Sequence, residues 1–585
     1  MKIVLAAINA KYIHSNLAVY SLKAYARDPR VEIAEYTINQ TKDEILGDLY
    51  RREPDLLCFS CYIWNLNYVE DLAVEFAKVC KTAKIWIGGP EVSYDPVETL
   101  KRLPVVEGIM KGEGEETFAC LCRIFRDGEG EGKEEADRRE RELEALSGIT
   151  YRDREGRIRD HPWREPIDLS TVPFVYEQME IPPHRIIYYE SSRGCPFSCS
   201  YCLSSVDKKL RFRDLSMVKR ELQYLIDREV PQVKFVDRTF NVSHSRALEI
   251  WEYLLEHDRG KTNFHFEVAA DLLNEEELSL IARMRPGLIQ LEIGVQSTNP
   301  ATICEIRRRM DVERVKEVVS RIRKKRNVHQ HLDLIAGLPF EDLDSFRRSF
   351  DQVYEMRPDQ LQLGFLKVLK GSYMEEMQKS YGLVCQSRPP YEVLETRWLS
   401  YKDVLLLKGV EEMVEVYYNS GQFAHTLRRL EHFYDSPFRM FESLWEYYQG
   451  RDLQKIRHRR EARYEILLAW AKEGFPEEEK EIRELLICDY YLRENAKNRP
   501  AFAGPCTVDK EKQRRFYEKE AEAGKYLPDC RGYDKNQLRR MTHLEYFSAA
   551  DQYVLFDYFV KNPLNQDARV CKIDVEDMEE KRNEF

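Results

Sequence analysis

What most restricts the fold of this chain is an alternation of short apolar runs with amphipathic stretches, occurring in two separate series. The first series occupies residues 1–126. Its strand-like runs are Ile3 to Ala7, VEIAEY, Asp55 to Ser60, Lys84 to Gly89 and Glu107 to Glu116, with helical patterns such as NYVEDLAVEFAKVC between them. Short buried strands alternating with helices predict a doubly wound parallel sheet. Ligands of such sheets bind beyond the carboxyl ends of the strands. Those ends carry Ser60, then Gly88-Gly89-Pro90-Glu91, then Gly112-Glu113-Gly114-Glu115. Glycine there permits close backbone approach, though from composition alone ordinary turn chemistry is the favoured account.

The second series begins at Arg185. Its runs are RIIYYESS, Val233 to Asp237, Phe264 to Ala270, Leu288 to Val295, His329 to Leu338 and Gln360 to Leu369. Six strand-helix units predict a partial parallel barrel, (β/α)6, with its active face at the strand carboxyl ends. Between the two series, residues 127–180 read as a charged linker (DGEGEGKEEADRREREL), a hairpin at 148–160 and a Pro-punctuated connection. The barrel is expected over 181–380. From 381 to 585 the strand signals fade, and TRWLSYKDVLLLKGVEEMVEVYY and FRMFESLWEYYQG have helical periodicity. A mostly α-helical third domain is expected there.

The chain has 585 residues with 91 Lys plus Arg and 102 Asp plus Glu, a net charge of −11. That balance disfavours broad nucleic-acid binding. No apolar run approaches the ~18 residues of a transmembrane helix, and the start, MKIVLAAINAKYIH, lacks the pattern of a signal peptide. A cytoplasmic chain without a membrane partner is expected. Its 14 cysteines are too few for a disulfide scaffold of this size.

Three of those cysteines stand apart. Cys195, Cys199 and Cys202 lie in SSRGCPFSCSYCLSS, a loop directly after the first barrel strand. Three thiolates spaced C-x3-C-x2-C can bind three irons of a 4Fe-4S cluster and leave the fourth iron open. Clusters that only carry electrons use four cysteines, and structural zinc wants four protein ligands. No nearby His or Cys supplies a fourth.

This loop resembles the signature of the radical S-adenosylmethionine superfamily. Arg193-Gly194 before it, Tyr201 within it, and FEVAADLL, LEIGVQS and DLIAGLP after it match in order. The resemblance covers residues 181–375. It implies Cys195, Cys199 and Cys202 as iron ligands, with the open iron chelating S-adenosylmethionine. It places Tyr201 by the adenine, Asp237 near the methionine amino group, Glu267 on a ribose hydroxyl, and Gly294 with Gln296 near the nucleoside. The family's Gly-Gly-Glu is replaced here by Asp237-Arg238-Thr239. A strand carboxylate paired with a barrel Arg accounts for Glu267 equally well.

A doubly wound domain ahead of such a barrel resembles the cobalamin-binding class of the superfamily, in a functionally unassigned clade with its own C-terminal domain. NAKYIHSNLAVYSLKAY belongs to that resemblance. It implies cobalamin contacts at Ser60, Gly88, Gly89, Glu91 and Gly114. The D-x-H-x-x-G motif that gives cobalt a protein His is missing. His14 lies in the corresponding loop with Tyr12 for Asp and Leu17 for Gly, and reads as a turn histidine.

The leading function implied is methylation of an unactivated carbon or phosphorus centre in a small-molecule or natural-product-like substrate. A low-potential donor such as flavodoxin or ferredoxin would supply electrons. The runner-up is a cobalamin-dependent radical cyclase or rearrangement enzyme. A transfer-RNA methylthiotransferase is disfavoured, because Cys58, Cys61, Cys80, Cys120 and Cys122 fall in strands and helices. The basic runs Arg307 to Arg309 and Arg321 to Arg326 read as solvated helix faces. A non-enzymatic cobalamin or redox sensor is the remaining alternative. The paired aromatics Tyr417-Tyr418, Tyr447-Tyr448 and Tyr490-Tyr491 read as core at helical spacing.

Overall fold

The computed structural model describes residues 1–125, 133–181, 183–506 and 508–578, which form two compact units. The first takes residues 1–328, 335–343 and 364–401. The second takes 329–334, 344–363 and the chain from 402 onward.

The first unit opens with strands β1 (Ile3–Asn9), β2 (Val31–Thr37), β3 (Leu56–Ser60), β4 (Lys84–Gly88) and β5 (Gly108–Met110). They pair in parallel in the order β2-β1-β3-β4-β5, the doubly wound sheet predicted. β1 is buried along its whole length. A central parallel strand covered on both faces has no solvent side to keep polar, so its sequence is a continuous apolar run. Helix Lys42–Arg51 begins at a capping box, Thr41 with Glu44, which satisfies two of its first free N–H groups. The strand order reverses between β1 and β3. Loops leaving those two strands part to opposite faces, and a crevice opens between them.

The hairpin predicted at 148–160 is present. β6 (Ile149–Arg152) and β7 (Ile158–Asp160) add antiparallel to the edge of β5. This covers an open sheet edge and buries Ile149 and Tyr151 completely. Of the charged segment before it, residues 127–132 lie outside the described residues, and Lys133–Glu144 is a helix.

All six runs of the second series are strands: β8 (Ile187–Tyr189), β9 (Gln232–Phe235), β10 (Asn263–Val268), β11 (Ile289–Gln296), β12 (His329–Ala336) and β13 (Gln360–Phe365). Parallel pairing joins β8 to β9, β9 to β10 and β10 to β11. Along β11 the buried residues alternate with the half-buried Gln290, Glu292, Gly294 and Gln296. That period of two marks one packed face and one face left open.

The second unit is largely helical, with Pro437–Gly450, Arg460–Gly474 and Glu479–Arg493 among its helices. Tyr417, Tyr448, Tyr490 and Tyr491 are buried, and the Tyr417 and Tyr448 hydroxyls meet at 2.7 Å. These aromatics are core, as their spacing suggests. The tail departs from the helical expectation. β14 (Thr542–Phe547), β15 (Gln552–Lys561) and β16 (Ala568–Ile573) form an antiparallel sheet. Helix Lys510–Ala523 seats Phe516 and Tyr517 against Leu544 and Leu555 of that sheet. Only the central strand, QYVLFDYFV, shows in the sequence. The flanking strands carry one polar face each and are too short to stand out. Among the described residues no helix is long and apolar enough to cross a membrane.

Candidate functional site

Beyond Tyr189 the chain turns at Ser191-Ser192 into the cysteine loop. Asp237, 2% exposed, holds that turn. Its carboxylate accepts from the Ser191 N–H at 2.8 Å, the Ser191 hydroxyl at 2.7 Å and the Ser192 hydroxyl at 2.5 Å. The sequence reading put Asp237 at the methionine amino group. The turn has instead taken up its carboxylate, making it a support of the loop.

Further backbone bonds pin the loop. The Cys195 N–H donates to the Asp207 carbonyl at 3.0 Å, and the Ser200 N–H to the Ile306 carbonyl at 2.9 Å. The Met374 N–H donates to the Ser200 carbonyl at 3.0 Å. Gly194 stands at φ +93, and a Cβ there would lie 2.5 Å from the Lys209 carbonyl oxygen. Only glycine fits. Cys195 and Cys199 are buried and Cys202 is half-buried. Burial pushes the Cys195 thiol up, while the Phe197 N–H and the Thr239 hydroxyl work against that rise. Donors aimed at a buried sulfur suit a thiolate that carries metal, so the loop fits an iron–sulfur cluster.

The other expected residues lie on neighbouring strands. Tyr201 packs against Ile306, Leu338 and Leu366. Glu267, near the end of β10, has no hydrogen-bond partner among the described residues. Burial pushes its carboxyl up to about 7, opposed by Arg238 and reinforced by Glu292. Gln296, at φ +73, has its Oε1 buried and unpartnered. Two orphan acceptors near the ends of adjacent strands fit a ligand rich in hydroxyl and amine donors.

Arg308 was missed. The sequence reading left it in a solvated basic run, but its Nη1 lies 3.2 Å from the Tyr201 hydroxyl and 3.8 Å from Cys199 Sγ. Its Nη2 donates to the Gly294 carbonyl. It has no mark of its own in the sequence, since it stands between Arg307 and Arg309, which are both exposed.

At the crevice between β1 and β3 lies a cavity of about 570 Å³. Ser60, Gly88, Gly89 and Gly114 line it. Glu91 does not. It is buried beneath the strand end, bonded by Tyr391 and 3.9 Å from Lys370, so its expected cofactor contact is corrected. Gly89 stands at φ +118, and a Cβ would fall 2.4 Å from the Cys61 carbonyl oxygen. Small residues at successive strand ends leave room that side chains would fill, which fits the tail of a large cofactor.

Another part of the cavity wall is a stacked pair, Tyr62 and Trp64, with centroids 4.4 Å apart. The barrel contributes Tyr188, Glu190, Arg193 and Arg238. Arg193 is tied to Glu190 at 2.7 Å and to Glu115, at the start of the helix after β5, at 2.8 Å, joining the two series across the opening. His14 also lines the cavity, with Nδ1 2.8 Å from the Tyr188 hydroxyl. Burial, then Lys11 and Lys234, lower its pKa, which favours the neutral imidazole.

Comparison with known proteins agrees with this geometry. The B12 binding domain model matches residues 3–121 and the Radical SAM superfamily model matches 189–353. The model described as "Protein of unknown function (DUF4080)" matches 379–563. The cobalamin-dependent radical SAM methyltransferase TokK of Streptomyces tokunonensis is 25% identical over 57% of this chain and 50% of its own length. The anaerobic magnesium-protoporphyrin IX monomethyl ester cyclase of Rubrivivax gelatinosus is 22% identical over 58% of this chain and 61% of its own. These matches span only about half the length of the curated relatives. The solved structure of the cobalamin-dependent S-adenosylmethionine radical enzyme OxsB with aqua-cobalamin bound shares the fold, with TM-score 0.57 and 15% identity. That likeness covers 83% of this chain and 80% of that one. The two domains take cobalamin, and a 4Fe-4S cluster with S-adenosylmethionine, respectively. The chain is a cobalamin-binding radical S-adenosylmethionine protein.

Proposed function

We propose that the chain is a cobalamin-dependent radical methyltransferase that methylates an unactivated carbon or phosphorus centre of a small molecule. The observation that carries this is one cavity walled by both the first sheet and the barrel entrance, at Ser60, Gly88 and Gly89 on one side and Arg193 and Arg238 on the other. When bound, cobalamin supplies a methyl carrier, and the cluster with S-adenosylmethionine supplies a hydrogen-abstracting radical.

The chain's own residues then have distinct tasks. Cys195, Cys199 and Cys202 hold iron, with Asp237 fixing the turn that presents them. Glu267 and Gln296 accept hydrogen bonds from the nucleoside and methionine donors, and Tyr201 walls the adenine. Ser60, Gly88, Gly89 and Gly114 accommodate the cobalamin tail. His14, held by Tyr188, stays neutral and keeps a positive charge off that side of the cavity. A low-potential protein such as flavodoxin or ferredoxin delivers electrons.

The cyclase relative from Rubrivivax gelatinosus, aligned over 58% of this chain, favours a second reading in which cobalamin serves a cyclisation or rearrangement. One experiment separates the two without knowledge of the substrate. The reconstituted, reduced chain is given hydroxocobalamin and S-adenosylmethionine. Methyl transfer yields S-adenosylhomocysteine alongside 5′-deoxyadenosine, the former strictly cobalamin-dependent. Formation of 5′-deoxyadenosine alone contradicts methyl transfer and leaves the rearrangement reading.

A further inference from the structure

The guanidinium of Arg308 has no carboxylate partner among the described residues. Its contacts are the Tyr201 hydroxyl at 3.2 Å, the Gly294 carbonyl, and Cys199 Sγ at 3.8 Å. Its Nε is buried without any partner. Desolvating a cation costs several kcal/mol unless a negative group answers it. Two other arginines of this unit meet that need with carboxylates: Arg213 with Glu221 at 2.6 Å, and Arg193 with Glu190 at 2.7 Å. At Arg308 the one contacting atom able to carry a full negative charge in a metal-bound loop is the Cys199 sulfur. The arrangement is also fixed rather than loose. The Ser200 N–H to Ile306 carbonyl bond, at 2.9 Å, ties the cysteine loop to the segment that carries Arg308.

We infer that Arg308 is a positioning and potential-setting residue of the iron–sulfur site, raising the reduction potential of the cluster through its charge on Cys199. The inference rests on the cluster assignment made above. Hydrogen bonds to ligand sulfur, net charge and solvent exposure are what set such potentials. Reduction adds one electron to the cluster with no bond formed or broken. The more negative state gains more from a fixed cation than the oxidised state does. The same residue bridges the loop to the Gly294 backbone through its second nitrogen, so the charge is held at one distance from the sulfur.

The test is a redox titration of the reconstituted chain, with dithionite and mediators as reductant and the reduced cluster read by electron paramagnetic resonance. Arg308→Met is expected to keep its iron and lower the midpoint. The reduced-to-oxidised ratio at a fixed potential should fall about tenfold, equivalent to about 59 mV for a one-electron couple. Arg308→Lys keeps the charge and should recover most of that shift. A purely structural role would lower cluster content in Arg308→Met, and in Arg308→Lys as well, without moving the midpoint of what remains. A full cluster at the wild-type midpoint in Arg308→Met overturns the inference. If Arg308→Met does not fold, an unchanged midpoint in Arg308→Gln overturns it equally. A wild-type chain that takes up no iron overturns the cluster assignment itself, and this inference with it.

Discussion

The cysteine loop and the strand ends around the cavity occupy the same compact unit but are built in opposite ways. The loop acts through reactive side chains: three thiols, a buried aspartate behind them and a guanidinium in front. The strand ends act through side chains that are missing, at Gly88, Gly89 and Gly114, and through backbone that comes close because of it. A site of the first kind announces itself in sequence, because cysteines at fixed spacing are rare. One of the second kind is a shape, and glycine after a strand looks the same whether it frames a cofactor or a turn.

The largest effect expected from this contrast is at the loop. Cys199→Ala should abolish both the cluster and cleavage of S-adenosylmethionine, while cobalamin binding persists. Iron analysis and a corrin spectrum on the same sample check this. If cleavage survives, the loop is not the iron site. The reciprocal change, Ser60→Leu, places bulk in the cavity and should weaken cobalamin retention at least about tenfold, the effect of ~1.4 kcal/mol. Iron content should stay at the wild-type level. Loss of iron together with cobalamin would show that the two regions are not separable.

A smaller effect is expected at the support behind the loop. Asp237→Ala strands three donors from Ser191 and Ser192. At about 1–3 kcal/mol for unsatisfied buried groups, thermal unfolding of the cofactor-free chain should drop measurably, with lowered iron uptake. An unchanged melting temperature would contradict the role given to Asp237.

The subtlest prediction concerns pH. Burial raises the Glu267 carboxyl to about 7, above its unfolded value near 4.5. A carboxyl with a raised folded pKa adds no cost below the unfolded pKa and destabilises increasingly as pH climbs toward 7. Glu267→Gln should therefore match wild type at pH 4.5 and be more stable at pH 8 in the cofactor-free chain, by about 1–3 kcal/mol at ~1.4 kcal/mol per pKa unit. Equal stability at both pH values would mean that the carboxylate is already satisfied.

Much of the fold was legible. Both strand series follow from the alternation of apolar runs, and all six barrel strands lie where the pattern put them, because parallel strands buried on one or both faces need long apolar runs. The antiparallel β14 and β16 were harder, because each is six residues long and interrupted by polar residues. The hairpin of β6 and β7 was legible, but its pairing with the edge of β5, about forty residues earlier, was not. The same distinction holds for the site. The cluster cysteines are local, seven residues apart from first to last by number. Arg308 meets Tyr201 across 107 positions, and Asp237 meets Ser191 across 46. No spacing rule reaches that far. Glu91 shows the converse error, since a residue adjacent in sequence to Gly88-Gly89 is turned away to Lys370 and Tyr391.

The central claim is that one unit of this chain holds both an iron–sulfur cluster and cobalamin. It is tested most directly by reconstituting the chain anaerobically, adding hydroxocobalamin, desalting, and measuring corrin absorbance against iron and sulfide. The account predicts about one corrin with about four irons per chain. A chain that retains its iron but lets all corrin pass through the column would contradict it.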